Sequence, residues 1–163
     1  MKQFESAVLQ LAQALRERGL MLVTAESCTG GLIAAACTAV AGSSDWFERS
    51  LVTYSNAAKS EMLGVDPALI AAHGAVSREV ALAMVEGALA HSRAGLAAAV
   101  TGIAGPTGAT PGKPVGTVWL ATARRGAPAA AELLALRGDR AAIREQTVHH
   151  ALRRLLERAT ATG

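Results

Sequence analysis

The sequence predicts an α/β fold: a single domain over residues 1–163, built as a three-layer α/β/α sandwich around a mostly parallel, mixed sheet. Three observations predict it. Short apolar runs of strand length alternate with helical stretches through the first hundred residues, the signature of strand–helix–strand units. Two late strand-like runs are joined by a short link, which adds an antiparallel part to the sheet. Finally, 163 residues against about 150 per domain, with 51% hydrophobic and 18% charged residues, suit one buried core and exclude a disordered chain.

The elements follow in order. Phe4 to Arg18 carries apolar residues at 4, 7, 8, 11, 14 and 15, one face of a helix, and Gly19 suits its end. The run LMLVTA (20–25) reads as a buried strand, and 26–31 as a turn into a helix over 32–40. A loop at 41–44 precedes a strand over 50–55. Asn56 reads as the N-cap of a helix over 57–63, and Asp66-Pro67 opens another. Ser77 starts a longer helix. Residues 96–102 form a strand, 102–116 a Gly/Pro loop, 117–123 and 131–137 two strands, and Asp139 begins a last helix reaching about Arg158.

Composition bounds the function. Aromatic residues are only 3% of the chain, which argues against a single-strand nucleic-acid reader that stacks bases on rings. The net charge of +3 is a small excess, so no nucleic-acid partner is expected. Cys28 and Cys37 make neither a disulfide framework nor a zinc pattern, and His73, His91, His149 and His150 have no ligand spacing, so no metal is expected. The charged start and the lack of a long uncharged apolar stretch predict a cytoplasmic protein with no membrane partner. Lysine occurs only at positions 2, 59 and 113, arginine being used almost everywhere else, so the internal Lys59 asks for an explanation.

In open α/β sheets ligands bind beyond the carboxyl ends of strands. Three segments stand there. In Glu26–Gly31, Ser27 follows a buried strand and leads through Thr29, Gly30 and Gly31 into a helix whose first N–H groups can hold an oxyanion or a phosphate. Ser27 or Thr29 reads alternatively as a plain N-cap, and Cys28 as a small core residue. In Tyr54–Lys59 the lysine falls in the first turn of a helix, where the positive helix end and burial lower its pKa toward a neutral base; a solvated helix lysine is the alternative. Thr101–Gly108 is a strand followed by a glycine-rich loop. GATPGKP lacks the Walker spacing, Tyr54 and Lys59 stand five apart rather than four, and no lysine lies three residues after Ser27.

Taken together, AESCTGGLIAA, VTYSNAAKSEMLGV, AVSREVALAM, AVTGIAGPTG and KPVGTVWLA resemble the CinA C-terminal family, from about residue 5 to 158. Stand-alone members of that family resemble nicotinamide-nucleotide amidases, and 163 residues leave no room for the separate N-terminal domain of longer members. The resemblance implies hydrolysis of the carboxamide of nicotinamide mononucleotide to nicotinate mononucleotide and ammonia. It implies a serine–lysine arrangement with a tyrosine, which maps onto Ser27, Lys59 and Tyr54. It implies no cofactor.

For such a substrate the candidate contacts are Thr29 and Gly30 after the serine, the polar loop Gly42, Ser43 and Ser44, Thr101 as an oxyanion helper, Gly102, and Arg140 as a phosphate cation. Arg140 stands near the start of the last helix and reads either as reaching a neighbouring subunit or as solvated. Alanine-rich helix faces and uncovered sheet edges point to a homodimer or larger homo-oligomer, as the resemblance does. A non-catalytic nucleotide-binding module tied to competence or DNA-repair proteins is the rival reading. It would keep the glycine loops but need no Ser27–Lys59 pair.

Overall fold

The computed structural model describes residues 1–162. Its elements run α1 (Glu5–Arg18), β1 (Leu22–Glu26), α2 (Leu32–Thr38), β2 (Phe47–Val52), α3 (Asn56–Leu63), α4 (Pro67–His73), α5 (Arg78–Ala90), β3 (Leu96–Gly102), β4 (Thr117–Arg124), β5 (Ala130–Ala135) and α6 (Arg140–Thr160). The strands form one sheet in the order β2-β1-β3-β4-β5. β1 pairs in parallel with β2 and β3, while β4 runs antiparallel to both β3 and β5. Four of the five strands therefore point one way, although only half the pairings are parallel.

Strand alternation sorts side chains between two helical layers. Leu96, Ala98 and Val100 of β3 pack with α1, α2 and α6 through residues such as Leu11, Ile33 and Leu152. Ala97 and Ala99, with Ala121 and Ala123 of β4, meet Leu63, Ile70, Met84 and Val85 of α3, α4 and α5. The abundant alanine thus lines one sheet face and lets that helical layer lie close. Among the described residues no helix is long and apolar enough to cross a membrane.

Three of the expected caps are in place: Asp66, Ser77 and Asp139 accept from the N–H groups of Ala68, Val80 and Ala142. The fourth is displaced by one residue. Ser55, not Asn56, caps α3: its backbone is extended and its hydroxyl accepts from Ala58 N at 3.0 Å. β2 also differs, running 47–52 rather than 50–55. Its last pair against β1 is Glu26–Val52, and after one further bond, from Thr53 N to Glu26 O, the chain peels away from the sheet. β1 begins two residues late because Leu20 N still bonds to Leu15 O at the end of α1, and it gains Glu26.

Gly87 shows how tightly the alanine-side layer is set. A Cβ at this position would sit directly on the carbonyl of Leu63, the last residue of α3. Gly87→Ala gains up to about 1 kcal/mol of helix propensity. Overpacking against an unyielding backbone costs about 1–3 kcal/mol. The net expectation is a lower midpoint in urea or thermal unfolding. An unchanged midpoint would mean that α3 has room to yield.

Candidate active site

The chain leaves β1 for α2, in the layer with α1 and α6, and leaves β2 for α3, in the opposite layer. Adjacent parallel strands whose exits part to opposite faces open a crevice between their carboxyl ends. Ser27 stands at the end of β1 and the segment 53–59 at the end of β2. Thr53 N still bonds to Glu26 O at 2.8 Å, which ties the two exits together before they diverge.

Lys59 reaches across this crevice. Its side chain is 1% exposed, and Nζ lies 3.1 Å from Ser27 Oγ, 3.1 Å from Thr53 O and 3.3 Å from Tyr54 O. The peeling of residues 53–54 from the sheet edge is what turns these two carbonyls toward the amine. Burial lowers the Lys59 pKa. A neutral amine has two N–H donors and one lone pair. Two carbonyls to take the N–H bonds leave the lone pair for the serine hydroxyl, so the geometry suits an amine that accepts the Ser27 proton. Ser27 is nearly buried and supplies its oxygen to a cavity of about 200 Å³, lined also by Lys59, Tyr54, Thr101, Gly102 and Arg140. Cys28 is buried beside it. Desolvation pushes its thiol up to about 12, so it stays protonated and a poor nucleophile near neutrality.

The structure thus brings together six of the eleven expected site residues around this cavity, with Thr29 and Gly30 in the turn beside it, but not all in the expected manner. Tyr54 contributes its carbonyl to Lys59, whereas its ring is exposed and its hydroxyl accepts from Arg140 Nη2 at 3.2 Å. Arg140 is exposed yet tethered within its own chain: Nη1 donates to Gly105 O at 2.9 Å. Thr101 Oγ1 donates to Ala75 O at 2.8 Å, so its proton is engaged and its oxygen offers the cavity an acceptor rather than an oxyanion donor. Thr29 is fully buried, its hydroxyl donating to Glu26 Oε1 at 2.6 Å, and Gly30 N bonds to Ser27 O.

Gly42, Ser43 and Ser44 do not belong to the site. They form a short 3₁₀ turn entering β2, the Gly42 carbonyl accepts from Arg16, and Leu22 N bonds to Trp46 O. This corner is at the amino ends of β1 and β2. A five-residue strand separates it from Ser27, roughly 16 Å at about 3.3 Å per residue. The expected anion site at the start of α2 is also corrected. The Ile33 and Ala34 N–H groups both donate to the Glu26 carboxyl oxygens at 2.9 Å, so the donors of that helix end are already taken internally. Gly30 and Gly31, both at positive φ, carry the chain round this carboxylate into α2.

Two residues escaped the sequence reading. Glu26 was counted with a turn. The signal for it was an acid closing an apolar strand directly before the Ser-Cys-Thr-Gly-Gly turn. Arg144 donates Nε to Cys28 O at 3.2 Å and Nη2 to Thr29 O at 2.9 Å. Its signal was the four-residue spacing from Arg140, which places both arginines on one helix face.

Residues 4–159 match the CinA C-terminal domain family. The nicotinamide-nucleotide amidohydrolase PncC of Escherichia coli (strain K12) is 49% identical over 146 residues, 90% of this chain and 88% of that protein. The nicotinamide-nucleotide amidohydrolase PncC of Pseudomonas putida is 53% identical over 151 residues, 93% of this chain and 94% of that one. Among solved structures, the competence/damage inducible protein CihA from Agrobacterium tumefaciens has a TM-score of 0.92 at 47% identity, covering 94% of this chain and 93% of its own.

Proposed function

The chain belongs to the CinA C-terminal domain family, and on that footing we propose that it hydrolyses the carboxamide of nicotinamide mononucleotide (NMN), giving nicotinate mononucleotide and ammonia. The names of the relatives support the substrate. The observation that carries the mechanism is the buried Lys59 Nζ, 3.1 Å from Ser27 Oγ with two carbonyls fixing its other bonds.

Ser27 Oγ attacks the amide carbon while its proton passes to Lys59 Nζ. The tetrahedral oxyanion is held by N–H groups that follow Ser27. The Cys28 N–H is suited to this: Cys28 lines the cavity, and beyond a local contact with its own thiol the N–H has no carbonyl partner. Lys59 then gives the proton to the departing nitrogen, the C–N bond breaks, and ammonia leaves an ester on Ser27. Water, deprotonated by Lys59, cleaves that ester and restores the serine. Thr101 Oγ1, as an acceptor, suits the amide NH₂ of the substrate. The cavity, about 200 Å³, is small beside the ~300–1,000 Å³ typical of ligand pockets. It suits the pyridine carboxamide, leaving the phosphate toward the rim, where Arg140 is the one arginine of the lining and the candidate cation.

Incubation of the purified protein with NMN, with ammonia and nicotinate mononucleotide measured, tests the reading. Stoichiometric production of both supports it. Tight NMN binding without ammonia would overturn it in favour of a binding module.

A further inference from the structure

The turn that presents Ser27 is a relay of peptide units with an arginine at one end. Arg144 Nη2 donates to Thr29 O at 2.9 Å. The N–H of that same peptide unit belongs to Gly30, and it donates to Ser27 O at 3.0 Å. The N–H of the Ser27 carbonyl's own peptide unit belongs to Cys28. In a planar trans peptide the N–H and C=O point in opposite directions, so fixing one fixes the other. A guanidinium on the first carbonyl therefore orients the Gly30 N–H. That bond in turn orients the Ser27 carbonyl and leaves the Cys28 N–H beside the nucleophile. Chains of hydrogen bonds also polarise one another, and a cation at the head of the chain strengthens the donor at its tail.

The opposite side of the turn is anchored independently. Glu26 is fully buried, and its carboxylate is met by neutral groups: Thr29 Oγ1 at 2.6 Å, the Ile33 and Ala34 N–H groups at 2.9 Å, and the Thr24 and Ser50 hydroxyls at 3.3 Å. The carboxylate holds the side chain of Thr29 while the guanidinium holds its carbonyl. The peptide units between them have little freedom to rotate.

We propose that Arg144 is a positioning residue for amide hydrolysis, setting through the Thr29–Gly30 and Ser27–Cys28 peptide units the direction and strength of the Cys28 N–H that receives the oxyanion, with Glu26 as the counter-anchor. This rests on the amidase reading above. The lever works on the transition state. The ground-state amide oxygen needs the donor less than the tetrahedral oxyanion does, so its loss falls on kcat more than on KM.

The test compares wild type, Arg144→Met and Arg144→Lys in NMN hydrolysis, with pyridine-3-boronic acid as a probe that forms a tetrahedral adduct on Ser27. Arg144→Met keeps the aliphatic stem and deletes the donors. It is expected to lose roughly tenfold to a hundredfold in kcat, the scale of a small misplacement at a reacting centre, with KM little changed. The boronic acid should weaken by a similar factor. Arg144→Lys, which keeps charge but not the fork, should fall between and guards against a misfolded methionine variant. Melting temperatures report folding separately. Variants with wild-type kcat and boronic-acid affinity, or with losses confined to KM or to melting temperature, overturn the positioning role alone. A wild type that releases no ammonia overturns the amidase reading and this inference with it.

Discussion

Ser27→Ala is expected to abolish ammonia release from NMN, by at least about a thousandfold in kcat, while leaving NMN binding largely intact. The side chain lost is one hydroxyl in a cavity whose other walls stay in place. What disappears is the covalent route, since no second nucleophile is available. Cys28 is adjacent in sequence, but burial holds its thiol at about 12, and its thiolate is negligible near neutral pH. Cys28→Ser should accordingly keep most of the activity. Isothermal titration with NMN, beside a turnover assay, checks both. If Ser27→Ala lost binding and turnover equally, Ser27 would be a structural residue. A dead Cys28→Ser beside an active Ser27→Ala would reassign the nucleophile.

Lys59→Arg should be nearly inactive although folded, with kcat down by ~10²–10⁴, the usual contribution of a general base. Arginine keeps a positive charge but does not deprotonate at accessible pH. If Lys59 only attracted the phosphate, the arginine variant would retain its kcat and change mainly in KM. For wild type, kcat at saturating NMN should rise with pH, because the working form of Lys59 is neutral. Burial brings that rise below lysine's ordinary range. The same shift bears on stability. Between the lowered folded value and the ordinary unfolded one, the unfolded chain binds the proton and the folded chain does not. Stability contributed by this group therefore increases with pH through that window and falls as pH drops through it. Lys59→Met should remove the dependence in urea titrations across pH.

The legible parts of the sequence were those encoded locally. The spacing of apolar residues marked the helices, and Asp66, Ser77 and Asp139 marked three helix starts, because a cap acts on N–H groups two or three residues away. Ser27 and Lys59 were singled out from their places after strands, and the structure brings the two side chains into contact. The limits of β2 were not legible, since an edge strand ends where its neighbour stops pairing with it. Gly42–Ser44 was misplaced because a small polar loop has the same composition at either end of a strand. Arg144 and Glu26 draw their roles from tertiary meetings, one spanning 116 residues of chain, and local composition carries little trace of them. Tyr54 was placed correctly in sequence, yet its carbonyl rather than its phenol is what meets the amine.

The proposed catalytic pair, Ser27 and Lys59, is divided between the two helical coats of the sheet. The serine's exit strand feeds one coat, and the lysine rides on a helix of the other. A folding intermediate with only one coat docked would hold half of the pair. Such a species can neither acylate nor hydrolyse, so during refolding ammonia release should lag the recovery of helical circular dichroism and coincide with the last docking event. The enzyme's own turnover is thus a built-in stopwatch for completion of the fold, and a chain split between the serine and the lysine segments should be silent until its fragments reassociate.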